Sequence, residues 1–227
     1  MDEWMLTIAA GLLLSIIHLV APKLENIIHG KHKQIMSLSA GMFLAYIFLE
    51  ALKVVFKAHL ELGVIIIILF FSGFALYHIF SKYLYQHTKD RKKLEVELDE
   101  LLYAGSAADS IFTGFALAVI LDINEPVYFA LIPFVLHSFS ATLSFQSHHG
   151  HFKTPKILQY LLAFLPLLGA VIGEAVILET GAFHYLFAFV TGAILYISIR
   201  HMLPEGKEGD LVYFAIGALT GSILLIL

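Results

Sequence analysis

Eight apolar runs, each about long enough to cross a bilayer, follow one another along this chain with little else between them. They cover roughly residues 4–22, 35–56, 62–83, 101–121, 126–145, 157–178, 183–203 and 211–227. No alternation of the barrel type is visible in any of them, so the expected spans are helices. In hydrocarbon, a helix satisfies its backbone groups within its own segment. Hydrophobic residues make up 59% of the chain and charged residues 14%, against about 45–50% and 25% in soluble domains. A chain of 227 residues spent in this way has no room for a separate soluble catalytic domain. The predicted fold is an all-α polytopic membrane domain over residues 1–227.

The opening Met1-Asp2-Glu3-Trp4 is acidic, unlike the basic start of a cleavable signal peptide, so the first run reads as a retained span. Net charge is −4 and no basic surface gathers, which argues against nucleic acid as a partner. The absence of cysteine excludes disulfides, thiolate metal sites and cysteine nucleophiles.

Lys and Arg placement predicts direction. With the N-terminus outside, the inner connections carry twelve basic residues and the outer ones only Lys53 and Lys57. Both termini then lie on the outer side of a cell (inner) membrane. The longest inner connection is residues 86–100, a basic block followed by an acidic one with leucines at helical spacing. It reads as a solvated extension of span four, with a regulatory or lipid-headgroup role as the alternative.

Gly41 in Ser39-Ala40-Gly41-Met42-Phe43-Leu44 aligns with Gly192 in Val190-Thr191-Gly192-Ala193-Ile194-Leu195, and Ser72-Gly73 with Thr220-Gly221. This predicts an inverted repeat of spans one to three (about 4–83) and six to eight (about 157–227). Spans four and five (about 101–145) form the unique pair, in a 3+2+3 plan. Packing alone also places small residues in membrane helices.

The unique pair joins through Asp122-Ile123-Asn124-Glu125, so its helices are antiparallel neighbours. Asp109 lies fifteen positions before Asn124 and His137 thirteen after it. At 1.5 Å per residue, the two sit within about 3 Å of each other in depth. An ionisable group so deep faces a bundle interior or a wet cavity. Such a pair is either a divalent-metal site completed by water or a hydrogen bond joining two helices. Ser106, Ser110, Thr113, Ser138, Ser140, Thr142 and Ser144 surround it, and Pro133 frees a carbonyl at Phe129. Glu50, Glu174, His18 and His201 lie towards span ends, as packed groups or as stations on either side. His148-His149-Gly150-His151 is a short His cluster in an inner loop, able to hold a metal weakly.

These residues resemble the ZIP (zinc–iron permease) family of divalent-metal transporters. The likeness rests on eight spans, the long loop after span three, and the two stretches Thr191-Gly192-Ala193-Ile194-Leu195-Tyr196 with Met202-Leu203-Pro204-Glu205, and Ser39-Ala40-Gly41-Met42-Phe43-Leu44-Ala45. The family's fourth span reads about His-Asn-x-x-Asp-Gly; here it is Asp109-Ser110-Ile111-Phe112-Thr113-Gly114. Its fifth carries His-Glu; here His137-Ser138 keeps only the His, and Glu50 replaces a second-span His. The resemblance implies a carrier importing zinc, iron or manganese. Asp109 and His137 would hold the ion, Glu50 would assist uptake and His201 release, with Glu174 as a further candidate ligand. No organic cofactor and no enzymatic step are implied. The expected partners are the divalent ion, the lipid bilayer and a second copy in a homodimer. The rival readings are a non-transporting relative with a sensing, binding or assembly role and, less favoured, an intramembrane hydrolase activating water at the same pair.

Overall fold

A computed structural model describes residues 3–88, 90–123, 128–148, 156–178, 182–202 and 209–225. Among these residues all regular structure is helical: α1 Glu3–Ile28, α2 His32–Tyr46, α3 Leu52–Leu62, α4 Ile65–His87, α5 Arg91–Ile123, α6 Tyr128–His148, α7 Lys156–Leu178, α8 Ala182–Met202 and α9 Leu211–Leu224. One π turn, Ile47–Ala51, joins α2 to α3 without a break, so the two make a single apolar span, His32–Leu62. Gly63 ends that span with φ 85° and ψ −169°, an extended positive-φ conformation natural to glycine. Pro22, Pro133 and Pro166 all lie inside helices, as lipid-embedded helices tolerate.

Six helices among the described residues are long and apolar enough to cross a membrane, and shorter apolar stretches lie at Leu131–Leu143 and Leu211–Leu224. The chain is therefore a helical protein of membrane character. The other two expected spans correspond to α6 and α9. Helix α6 runs over Tyr128–His148, but side chains are described only in its middle. Helix α9 begins at Leu211, where the last span was expected to start, and Asp210 caps it, accepting from the amides of Val212 and Tyr213 at 3.0 and 3.2 Å. Its fourteen residues span about 21 Å. The Asp210 amide itself donates to Ser37 Oγ at 2.9 Å, which seats this end of α9 on α2. Asp210→Ala removes the cap at a cost of about 1 kcal/mol. Faster amide exchange confined to Val212 and Tyr213 is the expected readout.

Within residues 86–100, the part from Arg91 onward is helix continuous with the apolar part of α5. The break covers only the stretch between His87 and Arg91, and α5 then runs unbroken for 33 residues to Ile123. Its first turns lie ahead of the apolar window Tyr103–Leu121. Charges pair locally there, with Lys93 Nζ 3.7 Å from Glu97 Oε1 and the Thr88 hydroxyl donating to Glu97 Oε2.

The apolar window of α5 is the most buried of the six and that of α4 the least. Phe115, Leu117, Val119 and Ile120 of α5 are all fully enclosed, which makes this helix the centre of the bundle. Around it, α2 packs along α9, α4 along α8, and α7 along both α5 and α1. Glycines set two of these crossings. A Cβ at Gly41 would lie 2.2 Å from the Phe214 carbonyl oxygen, and one at Gly217 2.0 Å from that of Leu38. A Cβ at Gly192 would lie 1.9 Å from the Phe70 oxygen, and one at Gly73 2.0 Å from that of Phe189. The α2–α9 and α8–α4 crossings thus use equivalent residues. Leu38 and Gly41 stand to Phe189 and Gly192 as Phe70 and Gly73 stand to Phe214 and Gly217. The partner of Gly73 in this register is Gly217, one turn before the aligned Gly221, which meets Met42 instead. The approach at Gly217 is the tighter of the two, with a Cβ 2.0 Å from the Leu38 oxygen against 3.0 Å from the Met42 oxygen at Gly221.

Candidate cation site

Asp109 on α5 and His137 on α6 are brought into direct contact. His137 Nε2 lies 3.1 Å from Asp109 Oδ2 and 3.2 Å from Oδ1. Asp109 is 5% exposed and His137 1%. An ionised carboxylate only accepts, so the contact places a hydrogen on Nε2 that is shared between both oxygens. Two ligands at about 2.1 Å in tetrahedral geometry sit about 3.4 Å apart. The pair is therefore spaced, within a few tenths of an ångström, as two ligands of one ion, and an ion bound there would replace the Nε2 hydrogen.

The packing around the imidazole fixes its plane. Phe43 of α2 stacks on His137 with ring centroids 3.8 Å apart and an interplanar angle of 20°. Ser140 donates to the carbonyls of Leu136 and His137 at 2.9 and 3.1 Å and meets Ser39 of α2 at 2.7 Å. That hydroxyl pair ties α2 to α6 one turn away from the ring. Thr142 donates to the Ser138 carbonyl at 2.8 Å and meets His18 Nδ1 of α1 at 2.9 Å. With the Thr142 hydrogen on that carbonyl, His18 Nδ1–H is the donor to the hydroxyl. His18 also lies within electrostatic reach of Asp109 and His137. The hydroxyls of Thr113, one turn after Asp109, and of Ser138 are buried and have no hydrogen-bond partner among the described residues.

The two directions away from the site differ. Towards the Gly63 end of the bundle stand Phe43, Tyr46 and Phe134, each no more than 1% exposed. Phe134 meets Phe43 edge-on at 5.6 Å and Tyr46 at 4.8 Å. These rings form an aromatic wall that begins at His137, on which Phe43 stacks, and reaches Tyr46 next to the π turn. In the other direction the neighbours are hydroxyls and His18.

Glu50 sits on the π turn and takes a hydrogen bond from Lys53 Nζ at 2.7 Å. Glu174 is half-buried on α7. Neither joins Asp109 and His137. Among the described residues no group of three or more His, Asp or Glu side chains is close enough to share a metal ion. The side chains of His201 and His148, the remaining residues 149–151 of the His cluster and the turn at Asn124-Glu125 lie outside what the structure describes. The central members that composition did not single out are Phe43 and Ser39. Their four-residue spacing puts them on one face of α2, and Gly41 between them lies on the helix that α9 grips. No protein-family model and no curated protein matches the chain.

Proposed function

We propose that the chain is a membrane carrier for a divalent cation of the zinc, iron or manganese class, with Asp109 and His137 as its binding pair. The observation that carries this reading is a carboxylate and an imidazole in contact, both almost fully enclosed, where the central helix α5 meets α6. Ionisable groups at such depth in apolar helices mark ion pathways and relays. Thr113, Ser138 and water complete the shell. Glu50 assists uptake and His201 release, and the ion passes without covalent chemistry.

In this reading eight spans follow the 3+2+3 plan in the cell (inner) membrane. The repeats are α1–α4 and α7–α9, and the equivalent glycine crossings support them. Both termini lie outside. The chain has no cysteine, so single introduced cysteines test the direction cleanly. A membrane-impermeant thiol reagent is expected to label Lys57→Cys in intact cells, and Asp90→Cys only after permeabilisation. The reverse pattern overturns the direction.

Binding is tested with cobalt(II) on the purified chain. One bound ion with a visible d–d band, lost in Asp109→Asn, is the expected result. A second reading is a non-transporting relative in which the pair only joins α5 to α6. The observation in its favour is that each group already satisfies the other at hydrogen-bond distance. No cobalt bound by the wild type decides for that reading.

A further inference from the structure

The π turn Ile47–Ala51 leaves an unbalanced set of oxygens on the Gly63 side of the aromatic wall. Glu50 carries 12% side-chain exposure, and its two oxygens differ. Oε1 accepts from Lys53 Nζ at 2.7 Å. Oε2 is buried with no hydrogen-bond partner among the described residues. The Tyr46 hydroxyl, on a side chain 1% exposed, has none either. Tyr46 precedes the π turn and Glu50 lies within it, four residues on. A π turn adds one residue to the helical ring, which re-aims the side chains around it, and such turns concentrate at functional sites.

A buried carboxylate oxygen requires a partner with positive charge or hydrogens. The ammonium of Lys53 supplies half of that need from a side chain that is itself 63% exposed and free to leave. With the ammonium gone, what remains is a carboxylate and a phenol oxygen, both without a hydrogen-bond partner among the described residues. Oxygen-only sets suit hard cations that keep part of their water shell.

We propose that Glu50 and Tyr46 form a second cation site, separate from Asp109–His137, that takes a hard divalent ion with its waters, and that the Lys53 ammonium is its tethered competitor. The site stands independently of whether the deep pair carries an ion. An incoming ion takes both Glu50 oxygens and the phenol oxygen, and Lys53 swings into the exposed position it already half occupies. Tyr46 stacks with Phe43, which stacks on His137, so ring contacts connect the two sites.

The test is manganese(II) binding to the purified full chain, with free manganese read from its electron paramagnetic resonance signal. Asp109→Asn is expected to keep one manganese ion, and Glu50→Gln in that background to lose it. Lys53→Met removes an exposed ion-pair partner and is expected to tighten that ion by up to about fivefold. Lys53→Met leaves every buried group in place, so it reports even where Glu50→Gln fails to fold. Manganese binding unchanged or weakened in Lys53→Met, or retained in folded Asp109→Asn/Glu50→Gln, overturns the proposal; the gap then holds an ordered water only. Loss of all manganese in Asp109→Asn alone also overturns it and leaves the deep site standing. Cobalt binding indifferent to Asp109→Asn, with manganese lost in Glu50→Gln, removes the deep site and leaves this one.

Discussion

Proteoliposomes containing Asp109→Asn are expected to take up no divalent cation above the empty-vesicle background. His137→Ala is expected to do the same, and His78→Ala to match the wild type. Asp109 and His137 are two strong ligands in direct contact, and no group of three or more such ligands occurs among the described residues. Losing outer-shell partners alone typically costs 10–100-fold in metal affinity. Removing one of two direct ligands therefore costs at least about 100-fold. Asp109→Asn is the cleaner variant, because it keeps the shape and removes the charge. His137→Ala leaves a buried carboxylate unpaired, at about 3–5 kcal/mol, and empties the space under Phe43. A thermal melt in detergent separates that structural loss from lost binding. His78 is the control because its ring meets the Tyr196 hydroxyl at 2.8 Å between α4 and α8, away from the α5–α6 pair. Wild-type vesicles that import none of zinc, iron, manganese and cobalt end the carrier reading, and the pair is then a helix-joining contact.

Gly192→Ala is expected to lower the melting temperature in detergent, and Gly41→Ala to do so by a similar amount. The new methyl carbon would stand 1.9 Å from the Phe70 oxygen in one case and 2.2 Å from the Phe214 oxygen in the other. Both obstacles are backbone, so neither can rotate away. The helices must part by more than an ångström, and overpacking of this kind costs about 1–3 kcal/mol per site. Small residues are what allow membrane helices to approach closely in the first place. The two crossings share no partners, so the double variant is expected to show the sum of the two losses. Gly30→Ala is the control, because a Cβ there meets nothing within 4 Å. A double variant that melts with the wild type would show that the crossings do not hold the bundle.

The helical, membrane-crossing character was legible in the chain alone, because apolar runs of bilayer length leave the backbone no other way to satisfy itself. The Asp109–His137 contact was also legible, since helical rise and a short turn place them at one depth. Sequence reasoning could not tell which side of each helix those residues occupy, and so could not find the ring stacked on His137 or the threonine on His18. Phe43 looks like any core phenylalanine until α2 is laid against α6. Glu50 was visible as a charge near a span end, but its fate depends on a π turn that no periodicity in the chain announces. The Gly73 match failed by one turn because Thr-Gly and Ser-Gly look alike as letters. Register is decided instead by where two backbones touch, and there Gly217 faces Leu38 while Gly221 faces Met42. Burial and depth follow from composition along one helix, whereas pairing and register belong to the crossing of two, and only tertiary packing selects among crossings of nearly equal apolar surface.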